Sequence, residues 1–326
     1  MSDQELATDF TEQFNVKYPI ICAPMFLVST VKMVVSASQA GGVGTFPALN
    51  YRPMENYRNA IHDIKNQTGS PFGINIIVQK SNKYQHEQID IALEEKVPLL
   101  ITSLGNPKEV IRLAYNTDTK VYCDVVGLEH AQKVADLGAD GVIAVSNGAG
   151  GHAGDISPFA LIPKLAGKLN IPVIAAGSIS NGTGMAAAFG LGASAVYMGT
   201  RFIASQEAEV DDNFKQPILN AKSEDIINTD KVDGFPGNFI RTKELESIGL
   251  KRSIIEEILS RNKKHKKWIA LGRAARSLLA KDNSKVSYKT VYSAGHGVGL
   301  IEKVMSIEEI MRTIIEEYYE IKSNLP

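Results

Sequence analysis

Eight short apolar runs, separated by segments of helix length, govern what this chain can fold into. They are Pro19–Ala23, Gly42–Pro47, Phe72–Val78, Pro98–Ser103, Lys120–Val126, Gly141–Ser146, Ile171–Ala176 and Ala195–Thr200. Their richness in Val, Ile and aromatic residues suits parallel strands buried on both faces. Between them lie mixed segments such as Thr30–Ala40, Lys83–Lys96, Pro107–Tyr115, Glu129–Leu137 and Pro158–Leu169. Repeated strand–helix units argue for a parallel α/β sheet with helices outside. A count of eight favours closure into a (β/α)8 TIM barrel over an open sheet. Leu137-Gly138-Ala139-Asp140-Gly141 recurs as Leu191-Gly192-Ala193-Ser194-Ala195. Each reads as a helix-ending glycine that feeds the next strand.

The pattern changes after Thr200. Residues 207–290 are polar, lysine-rich and helical in period, with no convincing strand, and read as a helical insertion between the eighth strand and the last helix. Tyr292–Leu300 is a glycine-rich loop. The final helix, Ser306 to about Ser323, opens on a Ser306-Ile307-Glu308-Glu309 capping box and would be the eighth barrel helix. The expected division is a barrel of residues 1–206 and 291–326 with an insertion at 207–290.

With 326 residues, 44% of them hydrophobic, the chain can bury a large core. Its 35 basic and 36 acidic residues leave a formal charge of -1, so there is no whole-chain electrostatic footprint for nucleic acid. The one basic cluster, Lys263-Lys264-His265-Lys266-Lys267, reads as a solvated helix face. Cys22 and Cys123 stand alone in apolar runs and read as buried free thiols. The polar N-terminus lacks the pattern of a signal peptide, and no window reaches the roughly 18 apolar residues of a membrane span. A reducing, cytoplasmic setting is the default expectation.

In such barrels chemistry sits where the strands end. Ala175–Gly182 follows the seventh expected strand and precedes a helix; Met198–Phe202 follows the eighth. Backbone amides in glycine turns approach a phosphate closely, and a helix N-terminus adds favourable partial charge. The loops after strands seven and eight are the usual phosphate site of this fold. After the sixth strand comes Asn147-Gly148-Ala149-Gly150-Gly151-His152-Ala153-Gly154-Asp155, with four glycines around one histidine. Glycines let backbone lie flat against a ligand, and a histidine there can exchange protons near neutral pH. Of the other histidines, His62, His86, His130 and His265 fall in polar helical segments, and His296 lies in the late glycine-rich loop. Ala23-Pro24-Met25 follows the first strand, where a proline turn would expose the backbone of Ala23 and Met25 to the polar edge of a flat ring system. Asn75, inside the third strand, needs partners for its amide, which a ligand or neighbouring strands could equally supply. No His/Cys cluster completes a metal site, and no Gly-x-Ser-x-Gly elbow appears.

At these residues the chain resembles the nitronate monooxygenase family, also called 2-nitropropane dioxygenases. The matching pieces are Tyr18–Met25, Ala40–Gly44, Phe72–Asn75, Gly150–Gly154, Ala176–Ile179 and Met198–Phe202, with a return at Gly295–Ile301. The resemblance implies an FMN-binding TIM barrel with a catalytic histidine in the Gly-Gly-His loop, here His152. It implies that Ala23, Pro24, Met25 and Asn75 contact the flavin ring or ribityl chain and that Gly150 lines the flavin. Ala176, Gly177, Ser178, Met198, Gly199 and Thr200 would hold the phosphate. Two departures stand out. Asp124 occupies the place after the fifth strand where some relatives have lysine, so a carboxylate would face the flavin. Gly295-His296 replaces the Gly-Gln of many relatives.

The reaction this implies is FMN-dependent oxidation of alkyl nitronates or nitroalkanes by O2 to carbonyl compounds plus nitrite or nitrate. His152 would deprotonate the nitroalkane α-carbon or hydrogen-bond its nitro oxygens. Enoyl-acyl-carrier-protein reductases and NAD(P)H:quinone reductases share the barrel, the FMN and the histidine loop, so an NAD(P)H-dependent reductase is the alternative. A non-catalytic flavin or phosphate-ligand binder is a third reading. The expected partners are a small-molecule substrate and O2, without nucleic acid or membrane. Homo-oligomer formation is left open.

Overall fold

A computed structural model describes residues 6–232, 235–247 and 291–325. Its strands are β1 Ile20–Cys22, β2 Val43–Pro47, β3 Phe72–Ile77, β4 Leu99–Ser103, β5 Lys120–Val125, β6 Gly141–Val145, β7 Gly151–His152, β8 Val173–Ala176, β9 Ala195–Met198, β10 Ile226–Thr229 and β11 Gly237–Ile240. Eight of them close in the order β1-β2-β3-β4-β5-β6-β8-β9. All neighbours are parallel, and β9 returns to β1 with Ile20 opposite Val196. Each barrel strand falls inside one of the eight apolar runs, so the chain is a (β/α)8 barrel.

Strand alternation sorts these residues into two layers. Ile21, Val43, Leu99, Ile101, Tyr122, Ile143, Ile174 and Ala195 point inward and form one cluster. Their neighbours, such as Ile20, Cys22, Ile74, Leu100, Val142 and Val196, point outward into the helical layer. Cys22 and Cys123 are free and buried. The end where the strands begin is plugged by the helix Asp9–Phe14, whose Thr8 cap starts it where the chain turns in. Phe10 and Phe14 meet Tyr122 edge-on with ring centroids 6.3 and 5.8 Å away. The Tyr122 hydroxyl donates to Gln13 Oε1 at 2.5 Å. With that end filled, ligand access is left to the opposite end.

Gly138 and Gly192 have φ of +92° and +95°, the left-handed conformation that suits glycine just beyond a helix. The C-terminal helix Ile307–Asn324 opens on the Ser306–Glu309 capping box. It packs against the helices Gly182–Gly190 and Val31–Gln39, the place of an eighth barrel helix.

The reading of 207–290 as helical is corrected in its first part. Helices Asp212–Asn220 and Lys243–Ser247 are present, but β10 and β11 form an antiparallel hairpin between them. Strands of four residues carry too little periodicity to announce themselves. These become strands because β11 pairs with β7, the Gly-His dipeptide of the loop after β6. The rest of that reading, with the Lys263–Lys267 cluster, lies outside the described residues.

Candidate active site

The loop after β6 is tied to two other glycine turns. Ser146 donates its backbone N–H and its hydroxyl to the Ala176 carbonyl at 3.0 and 2.6 Å. The Gly148 carbonyl accepts the N–H groups of Ser178 and His296 at 3.2 and 3.1 Å. The turns cross so closely here that these glycines have no room for a side chain of their own. A Cβ on Gly148, where φ is +88°, would lie 2.0 Å from Ser178 Oγ. One on Gly177, where φ is +124°, would lie 2.6 Å from Ser146 Oγ. One on Gly295 would lie 2.3 Å from the Gly148 carbonyl oxygen.

Beyond Gly148 the chain runs into β7. Gly151 and His152 pair with Asn238 and Gly237 of β11. Asn238 is buried; its Nδ2 donates to the Ala149 carbonyl at 2.7 Å, and its Oδ1 accepts from Asn228 Nδ2 at 3.0 Å. His152 is exposed, with the Phe235 ring against it at 5.7 Å and 88°. The inserted hairpin therefore builds one wall around this histidine.

The loops after β8 and β9 meet the late glycine loop in a cradle of backbone amides. The N–H groups of Gly177, Gly199 and Thr200 take no hydrogen-bond acceptor among the described residues. Thr200 Oγ1 accepts the Gly295 N–H at 3.0 Å. Ser178 is exposed at the edge, with φ of +58°. The N-terminus of helix Gly182–Gly190, expected to add favourable charge there, is partly engaged within the protein. Its Gly182 N–H already donates to a Glu317 carboxylate oxygen at 2.7 Å and its Gly184 N–H to Asn181 Oδ1 at 2.9 Å. Those two donors are occupied inside the protein.

The turn after β1 also differs from expectation. The Ala23 N–H donates to the Met198 carbonyl and the Met25 N–H to Ser29 Oγ, both at 2.9 Å. The Met25 carbonyl accepts from Val28, Ser29 and Asn50. These backbone groups hold the turn itself together. What the turn offers the mouth is the half-buried side chains of Pro24 and Met25. A Cβ on Gly199 would lie 3.6 Å from Met25 Sδ, so this turn borders the cradle.

Across the barrel, Asn75 Nδ2 donates to the Ile101 carbonyl at 3.2 Å and to Ser103 Oγ at 2.7 Å. Neighbouring strands thus satisfy its amide hydrogens. Ser103 passes its own hydrogen to Asp124 Oδ2 at 2.5 Å. Asp124 Oδ1 is sealed from solvent and has no hydrogen-bond partner. Burial pushes the Asp124 carboxyl up to about 6, against the Ser103 hydrogen bond and the field of His152, which both favour its charged form. Burial, with the Asp124 charge and Cys22 behind it, drives the Tyr197 hydroxyl well above the usual range. Ser103, Tyr197 and Asn238 are site residues that motif reasoning missed. For Ser103 and Tyr197 a signal existed: each lies two residues beyond an inward-facing apolar residue, Ile101 and Ala195.

A filled (β/α)8 barrel with an amide cradle, an exposed histidine and a buried carboxylate at its open end has the layout of an enzyme. The nitronate monooxygenase family model matches residues 7–317. The chain belongs to that family and is an oxidoreductase. It is 34% identical to (3aS,4S,5R,7aS)-5-hydroxy-7a-methyl-1-oxo-octahydro-1H-indene-4-carboxyl-CoA dehydrogenase of Rhodococcus jostii (strain RHA1), over 74% of this chain and 68% of that protein. It is 30% identical to a probable nitronate monooxygenase of Staphylococcus saprophyticus, over 75% of this chain and 81% of that protein. Among solved structures, FabK from Thermotoga maritima superposes with a TM-score of 0.83 at 33% identity, covering 98% of both chains. No described helix is long and apolar enough to cross a membrane, and no group of three His, Cys, Asp or Glu among the described residues could hold a metal ion.

Proposed function

We propose that this chain uses FMN to oxidise small alkyl nitronates or nitroalkanes with O2, giving carbonyl compounds and nitrite or nitrate. The observation that carries the reading is the pairing of β7 with β11, which holds His152 at the barrel end that bears the amide cradle. A phosphate monoester suits that cradle: the N–H groups of Gly177, Gly199 and Thr200 need acceptors, and the glycine backbone admits close approach. Ser178 would close its rim, with Ala176 and Met198 beneath. Ala23, Pro24, Met25, Asn75, Asp124 and Gly150 would border the ring. FMN, when bound, supplies the electron-accepting centre.

The chain's own task is to place the substrate and move one proton. His152 takes the α-carbon proton of a neutral nitroalkane on an imidazole nitrogen, leaving the nitronate. Phe235 and the hairpin shield one side of that imidazole.

A second reading has specific support. The 34% identity to a carboxyl-CoA dehydrogenase, with the 33% identity to FabK over 98% of both chains, favours the alternative of an NAD(P)H-dependent reductase acting on a thioester. One experiment separates the two. Under anaerobic conditions, bleaching of the bound flavin by ethylnitronate supports nitronate oxidation. Bleaching by NAD(P)H alone supports the reductase. Acid release and chromatography of the yellow cofactor should recover FMN; recovery of FAD alone would overturn the cofactor assignment.

A further inference from the structure

One titratable group in the barrel mouth has no task in the reading above. Asp124 is two residues beyond Tyr122 on β5, and Tyr122 points to the barrel axis. Strand alternation turns Asp124 the same way, one layer nearer the open end. Its two oxygens are unlike each other. Oδ2 accepts the Ser103 hydroxyl, which is itself fixed by Asn75. Oδ1 is buried and bare.

The groups that bear on its charge are few. His152 favours the carboxylate. Tyr197 of β9 and Cys123 of the same strand are pushed up, by burial first and partly by Asp124, so both stay neutral. No described Lys or Arg makes an ion pair with it. A carboxylate with a bare, sealed oxygen is costly to keep charged, and an anion entering the mouth would add a like charge. One proton removes both costs.

We propose that Asp124 is the proton-holding group of the ligand site, taking one proton from solvent when a small anionic substrate of the nitronate class binds and releasing it when the site empties. The O–H bond forms at Oδ1, the oxygen that does not receive the Ser103 hydrogen; no other bond changes and no electron moves. The inference rests on the reading that the mouth takes such an anion. Asp124 thereby makes anion binding conditional on a proton.

Nitrite is the probe, because it is a stable anion of the expected product class. Calorimetric titration of the flavin-loaded protein in two buffers of different ionisation enthalpy counts the protons taken up per nitrite bound. The wild type should take up close to one proton near pH 7, and its nitrite affinity should weaken about tenfold per pH unit above that. Asp124→Asn should bind nitrite without uptake and with a flat pH profile. His152→Asn should keep the uptake but move it to higher pH, because His152 favours the carboxylate. Ser103→Ala should move it the same way, since the hydroxyl also favours the charged form. Infrared difference spectra should show a protonated-carboxyl band that appears with nitrite in the wild type and is missing in Asp124→Asn.

Undiminished uptake in Asp124→Asn would overturn the proposal and assign the proton to His152. Absence of nitrite binding in a wild-type protein whose flavin ethylnitronate does bleach would overturn it too, while leaving the nitronate reading intact. Proton-linked nitrite binding in a protein that ethylnitronate does not bleach would do the reverse.

Discussion

Asn238 reaches from β11 to the carbonyl of Ala149 at 2.7 Å, and through this bond the inserted hairpin holds the loop that carries His152. Asn238→Ala would strand that carbonyl, whereas the exposed Asn228 amide can turn to water. An unsatisfied buried polar group costs about 1–3 kcal/mol, so the urea unfolding midpoint should fall accordingly. Flavin content should hold, because the cradle amides belong to other loops, while turnover of neutral nitroalkane should drop. Asn238→Asp, which keeps the shape but cannot donate, should show the same loss. Wild-type turnover in both variants would mean that the loop keeps His152 in place unaided.

The cradle glycines should separate steric from electrostatic requirements. Gly177 has φ of +124°, and a Cβ there would lie 2.6 Å from Ser146 Oγ. Gly177→Ala should therefore lose both stability and bound flavin. A Cβ on Gly199 would meet Met25 at an ordinary 3.6 Å. Gly199→Ala should keep its flavin, whereas Gly199→Asp should lose it by setting a carboxylate against the phosphate. Flavin per protein, read from absorbance after gel filtration, ranks the three; full occupancy in Gly199→Asp would place the phosphate elsewhere.

How far the sequence revealed this arrangement depends on which interaction made each part. The eight barrel strands were legible because burial on both faces leaves continuous apolar runs, and Gly138 and Gly192 because a left-handed helix end favours glycine. The glycine turns around Gly148 and Gly177 were legible for the same conformational reason. The hairpin was not. Ile226–Thr229 and Gly237–Ile240 are strands only by virtue of their partners, and a tertiary pairing leaves little local trace. Ser103 and Tyr197 were hidden at the ends of runs read only as apolar. The Ala23–Met25 turn was located correctly, but its internal hydrogen bonds to Ser29 and Asn50 depend on side chains up to 25 residues away.

Asp124 should make stability depend on pH in an unusual direction. Its carboxyl is raised from an ordinary 3.8 to about 6, chiefly by burial. Between those values the folded protein keeps a proton that the unfolded chain releases. The favourable contribution is therefore complete below about pH 4 and is lost as pH rises through 6. Asp124→Asn should be close to neutral at about pH 4 and stabilising at about pH 7.5, by roughly 3 kcal/mol at most. Paired urea titrations at the two pH values test this. Destabilisation of the variant at the higher pH alone would show that the charged form is the one the fold favours.

His152 is the sharpest test of the chemistry. It is exposed, braced by β11 and faced by Phe235, so removing the imidazole should leave the barrel and the cradle in place. His152→Ala should keep its flavin and lose turnover. General acid–base catalysis typically contributes about 10²–10⁴-fold, and a loss in that range is expected with a neutral nitroalkane, whose α-proton must be removed. A preformed nitronate has already lost that proton, so the loss there should be much smaller. Steady-state kinetics on matched nitroalkane and nitronate pairs, with flavin content measured for each preparation, give the comparison. Equal large losses on both substrates would assign His152 to binding or charge stabilisation of the nitro group. Wild-type turnover on both would remove it from the mechanism, and the brace that β11 provides would then need another purpose.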